Sequence, residues 1–321
     1  MLPSIRRLRA LARAAAPHAG AALLSFLSGA CGGGGAAGDG GGGAAATYSP
    51  PALPGASGPT LPALLLVQEA LPKYASGVTR NDAIATFGLP FRAGDVPEVG
   101  GRPALAVAGT SIWQARTLRK WPDGSVAWAL LDVAADVAAG QVNSGLAVVA
   151  GSGASGQAAL ASEAGSLISL NTGPLQVQVS KAAFKVLHRV VVDGVAVVPT
   201  GASLGLVGQD LGGQPIAPTE DTLVWIEENG PARAVVRADG TLAADGGDGD
   251  GLIDFTCRIT ARRGSRDLEV TLTLRNASID RPQHVQLEGV ELSIQTDVGA
   301  SPWGRLARHD GVTQGALDPG E

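Results

Sequence analysis

Apolar and polar residues alternate with a period of two along much of the chain. The clearest example is residues 175–179, where Leu, Gln, Val, Gln and Val follow one another. Because successive side chains of a strand point to opposite faces, this pattern predicts strands with one buried face. Similar runs recur between residues 184 and 296, separated by Gly, Asn and Asp. We find no helical period in the folded part, so the sequence predicts an all-β protein.

A turn followed at once by a long apolar run organises the first half of the chain. Pro122, Asp123 and Gly124 suit the corners of a tight turn, so residues 111–121 and 125–133 should form a hairpin. The second arm is apolar on both faces, which predicts a central strand covered on both sides. Large aromatic residues dominate core burial, so we expect Trp121 and Trp128 to fill the core.

The spacing of these elements predicts two folded domains. Residues 62–150 should form a small N-terminal β-barrel of about five to seven strands, closed by a Gly- and Ser-rich linker at residues 151–156. Residues 165–310, opening with a strand at residues 166–170, have the pattern of an antiparallel β-sandwich.

The N-terminal segment has the parts of an export signal. Residues 1–31 carry four arginines in front of a short apolar stretch that ends in small residues and Cys31. The apolar stretch is shorter than the roughly 20 residues that cross a bilayer. Residues 27–31 resemble a bacterial lipoprotein processing site, which predicts lipid attachment at Cys31. The leucine lies four residues before the cysteine instead of the usual three, so ordinary cleavage after a small residue is the alternative; the paired Arg6 and Arg7 fit a twin-arginine signal poorly.

Residues 32–61 are almost entirely Gly, Ala, Pro, Ser and Thr. Such a segment cannot offset its ordering entropy by burying apolar surface, so we expect a disordered tether between the signal and the first domain. A flexible spacer behind a lipidated cysteine is what a surface-tethered protein needs. The sequence therefore favours an exported protein of the cell envelope.

The net charge and the cysteine content of the chain exclude several classes of function. The net charge of −5 offers no basic surface for nucleic acid. Only Cys31 and Cys257 are present, so neither a disulfide framework nor a structural zinc site is expected. The acidic run at residues 245–254 lacks the spacing of a calcium-binding EF-hand loop and stands between strands. We predict no metal and no cofactor.

Several stretches also resemble one known family. Residues 87–94, Gln114, Leu118, residues 121–128 and residues 130–132 resemble the N-terminal barrel domain of the exo-rhamnogalacturonan lyase (PcRGLX/YetA-like) proteins. Residues 229–236, Gly240 and the strand at residues 255–260 are similar to the central β domain of the same proteins. One departure is Ala127, where the family usually has a basic residue.

The resemblance implies a RIFT-type barrel, a β-sandwich and a link to polysaccharide lyases. In the family a large helical toroid normally follows, and no helical period begins before residue 321. A uronate lyase needs a base, an acid and a neutraliser for the carboxylate. His188 lies in an apolar strand pattern and is more readily structural, and neither His284 nor His309 matches a catalytic motif. Catalytic residues therefore stay unassigned, and we expect this chain alone to be inactive.

Binding a sugar requires fewer specifically placed groups than catalysis does. Trp303 lies in a polar segment with Arg305 and His309, and these three residues are the predicted carbohydrate contacts. The sequence thus predicts the β portion of a lyase-like, polysaccharide-processing protein. Its predicted partners are an acidic, pectin-like polysaccharide and a membrane reached through the N-terminal lipid. A non-enzymatic carbohydrate-binding or scaffold protein of the cell surface is the alternative.

Overall fold

The computed structural model describes most of the two predicted domains. The described residues are 61, 63–68, 79–151, 155–203, 205–210, 212–244, 253–276, 287–297, 303–308 and 311–316. Within these ranges every regular element is a strand, so the all-β prediction is confirmed. None of the described residues forms a helix that could cross a membrane.

The first domain packs two three-stranded antiparallel sheets around one core. Its sheet orders are β1-β8-β5 and β2-β7-β6, and β3 and β4 form a short hairpin beside them. The strands are β1 (Ala63–Gln68), β2 (Arg80–Pro90), β3 (Glu98–Val99), β4 (Arg102–Pro103), β5 (Leu105–Ala108), β6 (Trp113–Lys120), β7 (Val126–Val137) and β8 (Val142–Ala150). Leu105, Leu131 and Leu146 from different strands meet in the core, and burial of each side chain stabilises the domain by about 1.5–3 kcal/mol.

The predicted hairpin is present as β6 and β7. Trp121 N donates to Ser125 O over 2.8 Å, and Asp123 Oδ1 accepts from Ser125 N over 2.9 Å. Gly124 has a φ of 83°, a conformation that favours glycine. β7 lies between β2 and β6, which confirms the prediction of a central strand.

The second domain is a sandwich of a smaller and a larger antiparallel sheet. The smaller sheet has the order β13-β12-β11-β10-β9, with β9 (Ala161–Ala164), β10 (Leu167–Asn171), β11 (Leu175–Ser180), β12 (Arg189–Val192) and β13 (Val195–Val198). The domain was expected to open with the strand at residues 166–170. β9 precedes that strand and pairs with it, so this expectation was wrong; the Ser and Glu of β9 gave no apolar alternation by which to recognise it.

The larger sheet has the order β19-β18-β17-β15-β14-β20, and β16 pairs with β17 off this path. Its strands are β14 (Gly205–Asp210), β15 (Pro215–Pro218), β16 (Leu223–Asn229), β17 (Arg233–Ala244), β18 (Ile253–Arg262), β19 (Leu268–Arg275) and β20 (Leu287–Ser293). A further described hairpin joins β21 (Trp303–Arg308) to β22 (Gly311–Ala316).

The sandwich core lies between the two sheets. Ile168 and Val177 of the smaller sheet and Val236 and Ile259 of the larger one are almost completely buried in one cluster. The rings of Phe184 and Phe255 stack within it, with centroids 5.9 Å apart. Cys257 is buried in the same core, and this desolvation raises the pKa of its thiol to about 12, so the thiol stays protonated and unreactive.

Candidate functional site

The two domains meet through a side chain of the barrel that enters a turn of the sandwich. Gln114 of β6 places Oε1 where it accepts hydrogen bonds from Ala232 N over 2.9 Å and from Arg233 N over 2.8 Å. Its Nε2 donates to Glu228 Oε1 over 2.8 Å. Gln114 is buried, so these three bonds satisfy polar groups that water does not reach.

Gly230 makes this approach possible. A Cβ atom at residue 230 would lie 2.1 Å from Gln114 Oε1, far inside contact distance. Only glycine allows the carboxamide to come this close to the turn. The turn itself is closed by a hydrogen bond from Gly230 N to Arg233 O of 3.1 Å.

A buried ion network continues from this turn into the barrel. Arg233 Nη2 donates to Glu228 Oε2 over 2.8 Å, and Arg233 Nε lies 3.2 Å from Asp132 Oδ2 of β7. The Nε–H group does not point at that carboxylate, so this second contact is electrostatic without a hydrogen bond. Thr86 Oγ1 of β2 donates to Asp132 Oδ1 over 2.6 Å.

Asp132 is the most deeply placed member of the network. Its exposed fraction is 1%. Desolvation raises the pKa of this carboxyl, and the nearby Arg233 and the Thr86 hydroxyl only partly oppose that effect. No substrate reaches a carboxylate at this depth without separating the domains. We therefore interpret the junction as the contact that sets the orientation of the domains, and not as a reaction site.

Trp128 lies on the outer face of β7, the strand that carries Asp132, and is 43% exposed. The expectation that it fills the core was wrong. The indole rests against Gly88 of β2, where an added Cβ would lie 3.0 Å from Nε1 and 3.3 Å from Cζ2. The absence of a side chain at residue 88 lets the ring lie against the strand. The sandwich buries Asp132 farther along β7 but leaves Trp128 open, because it covers only part of this face.

The other tryptophans with described side chains offer no comparable surface. Trp113 is buried in the barrel core. Trp121, also expected in the core, is half-buried at the hairpin end and donates from Nε1 to Phe91 O over 2.9 Å. The ring of Trp225 lies 5.2 Å from the guanidinium carbon of Arg237, so that cation already covers it.

A half-exposed cation lies on the same barrel face as Trp128, on the neighbouring strand β6. Arg116 of β6 is opposite Leu130, two residues from Trp128 along β7, so all three side chains belong to one face. The Arg116 side chain is 46% exposed, and its Nη1 lies 3.5 Å from Glu228 Oε2. One side of the guanidinium thus contacts the junction while the rest faces solvent. An aromatic surface beside a solvent-facing cation can accommodate a sugar ring that carries a carboxylate.

The outer face of the larger sheet carries a network of paired charges. Glu227 accepts hydrogen bonds from Arg237 over 3.1 Å and from Arg258 over 2.6 Å. These bonds, that of Arg258 first, lower the pKa of Glu227. Arg237 also donates to Asp239 Oδ2 over 2.7 Å. Because these guanidinium groups already hold carboxylates, this face is a poor receptor for an added anion.

The structure leaves the predicted sugar contacts untested. Trp303 and Arg305 lie in β21, but their side chains are not described. His309, His284, Cys31 and most of the acidic run lie outside the described residues. Among the side chains that are described, no group of three or more His, Cys, Asp and Glu converges as metal ligands would.

Two of the described side chains that could act as a base, those of Lys120 and Lys181, are held in ion pairs. His188 is half-buried between β11 and β12, and its backbone groups bond to Gln178 O and Gly201 N. Lys120 pairs with Glu98 over 2.7 Å, and Lys181 pairs with Glu163. Among the described residues, we find no cleft that brings together a base, an acid and a cation that neutralises a carboxylate.

Gln114, Asp132 and residues 229–233 belong to the stretches that resemble the family, but the sequence did not predict that they meet. A usable signal was present, since a carboxylate in the middle of the apolar run of β7 needs a buried partner. The arginine two residues after a Gly-Pro turn was the available cation.

These features define an all-β protein with a barrel and a sandwich docked through a buried polar junction, and with an open aromatic surface beside that junction. The model of the PcRGLX-like N-terminal RIFT barrel domain matches residues 69–149, and that of the PcRGLX-like protein central beta sandwich domain matches residues 159–319. The chain belongs to the PcRGLX-like family. Comparison with curated proteins found no match.

Proposed function

We propose that this protein binds an acidic polysaccharide at the cell envelope, as the β portion of a rhamnogalacturonan-lyase-like protein. The observation that carries the proposal is the open indole of Trp128, 43% exposed on a strand whose other large apolar side chains are buried or partly buried. Family membership supplies the link to polysaccharides. The predicted signal and lipid site supply the location.

Two groups on this face of the barrel can take part in binding. The apolar face of a sugar ring can pack on the exposed part of the indole, which lies against Gly88. The solvent-facing part of Arg116 can then form a charge-assisted hydrogen bond to a uronate carboxylate. The barrel and the sandwich are fixed to each other by the Gln114 contacts, so this surface is preorganised before a ligand arrives.

The envelope location follows from the first 61 residues. A lipid on Cys31 would anchor the chain, and residues 32–61 would separate the barrel from the membrane. A flexible segment of this composition and length has a root-mean-square span of about 30 Å. The barrel could therefore reach polymers that lie near the membrane surface.

The binding test uses an array of pectic, alginate and neutral polysaccharides. We expect the wild-type protein to retain acidic polymers and Trp128→Ala to retain them poorly, because the stacking surface is lost. Leu223→Ala is the matched control, since Leu223 is 67% exposed on the other domain. Wild-type protein that retains no polysaccharide would refute this function, and a Trp128→Ala variant that binds as well as wild type would refute the Trp128 surface as its site.

The anchor is tested by fractionating cells that express the wild type or Cys31→Ala. Acyl chains transfer to the membrane with about 0.8 kcal/mol for each buried CH₂, so the lipidated form should sediment wholly with membranes. The variant should stay unprocessed or enter the soluble fraction. If both proteins were soluble, lipidation at Cys31 would be wrong.

A scaffold role without sugar affinity is the second candidate. It is favoured by Leu64 and Leu66 on β1, which are 73% and 63% exposed at the edge of a barrel sheet. An exposed apolar edge strand can pair with another chain. Loss of a partner from Leu64→Lys, together with an empty polysaccharide array, would favour this role over the first.

A further inference from the structure

The outer face of the smaller sandwich sheet contains an open depression of about 170 Å³. Four polar side chains form one row across it, because Ser162 is opposite Ser169, Ser169 opposite Gln178, and Gln178 opposite Arg189. Neighbouring strands are about 4.8 Å apart, so the row is roughly 14 Å long. That length can follow several rings of a sugar chain.

The composition of this row suits a ligand rich in hydroxyl groups. Ser162 and Ser169 contribute short hydroxyl side chains to the lining of the depression, and Gln178 and Arg189 contribute planar polar groups. Carboxamides both donate and accept hydrogen bonds, and serine hydroxyls do the same. Val191 adds an apolar contact in the lining. Specific sites of this kind combine an apolar surface with a few placed polar groups.

Arg189 differs from most of the described arginines of the sandwich; Arg263 also lacks a carboxylate, but its guanidinium donates to the backbone carbonyls of Pro231 and Ala158. A carboxylate binds each of four arginines on this domain: Arg237, Arg258, Arg262 and Arg266. In the described part of the chain no carboxylate forms an ion pair with Arg189. The N–H donors of its planar guanidinium can therefore bind a group of a ligand. A carboxylate fits this donor geometry best.

We infer that this row is a second glycan-binding site, in which Arg189 binds the carboxylate of a uronate residue. The inference rests on the proposed function and adds where and how the acidic group is recognised. It needs no aromatic stacking and is separate from the Trp128 surface, which belongs to the barrel. Two sites on one chain would also favour long polymers over short ones, because the second contact is intramolecular.

The test is titration calorimetry with oligogalacturonate and with the same oligomer after reduction of its carboxyl groups. Arg189→Gln should weaken binding of the acidic oligomer about tenfold and leave the reduced oligomer unaffected, as expected for loss of one charge-assisted hydrogen bond. Lys181→Gln is the control, because it removes one positive charge from the same sheet outside the depression. Ser169→Tyr should obstruct the row and weaken both oligomers.

The outcomes separate the inference from the function on which it rests. If wild-type protein binds the acidic oligomer while Arg189→Gln and Ser169→Tyr bind it equally well, the second site is refuted and the function stands. Equal affinity of the wild type for the acidic and reduced oligomers also refutes the role of Arg189. If the wild type binds no glycan, the proposed function fails and the inference fails with it.

Discussion

Replacing Gln114 by alanine should be among the most damaging single changes at the domain junction. The substitution removes the acceptor of two buried backbone N–H groups, those of Ala232 and Arg233, and a donor to Glu228. The barrel itself should be little affected, because β6 keeps its backbone pairing with β7. The lost interactions lie in the contact between the domains.

The magnitude follows from those groups. A buried donor left without an acceptor costs about 1–3 kcal/mol, so two of them cost about 2–6 kcal/mol. Glu228 keeps its bond from Arg233, which limits the third loss. The total is a large part of the roughly 5–15 kcal/mol that stabilises an ordinary domain.

The assay is urea denaturation followed by a far-ultraviolet signal and by tryptophan emission, which report differently on the two domains. We expect the Gln114→Ala variant to unfold at lower urea and in two separated transitions, because the domains no longer support each other. Gln141→Ala is the control, since Gln141 is exposed in the β7–β8 turn, and should cost under about 0.5 kcal/mol. If the two variants lost equal stability, or if Gln114→Ala unfolded in one transition as stable as that of the wild type, the junction argument would be wrong.

Three further predictions test other features. Trp113→Ala should cost about 3–5 kcal/mol by calorimetry and Trp128→Ala only about 1 kcal/mol, because the first is buried and the second is 43% exposed; equal losses would contradict this assignment. Burial raises the pKa of Asp132 in the folded protein above the unfolded value of 3.8, so the stability that this group contributes falls as pH rises from 3.8 through the folded pKa. The stability of the wild type relative to Asp132→Asn should therefore decline over that pH window. A stability difference that stays constant would refute this prediction. A piece from Thr47 to Glu321 should yield no unsaturated product from rhamnogalacturonan in an ultraviolet assay over a day, because the described residues assemble no complete set of base, acid and carboxylate neutraliser; product that disappears in His284→Ala or His309→Ala would show otherwise.

Local chemistry in the sequence was sufficient for the strands and the central hairpin. Pro122, Asp123 and Gly124 determine the turn through short-range effects, and the alternation at residues 175–179 determines which side of β11 is buried. Such features depend on neighbours within a few residues, so they can be predicted without knowing the rest of the fold. The all-β class and the order of the two domains follow from the same signals.

The tertiary structure decided which large side chains are covered. β7 is apolar on both faces, yet its outer face is covered at Asp132 and open at Trp128, because the sandwich docks on only part of it. Strand alternation shows that two faces exist but not what covers each of them. The error over Trp128 has this origin.

The same limit applies to the domain junction and to the row of polar side chains that ends at Arg189. Gln114 and Arg233 are 119 positions apart and meet only because two domains dock, while Ser162 and Arg189 share a row only through the register of four strands. Sequence alone determined the residue types, the strands and the turns of this protein. The tertiary structure decided which of those residues are adjacent, since adjacency between distant segments depends on sheet register and domain packing.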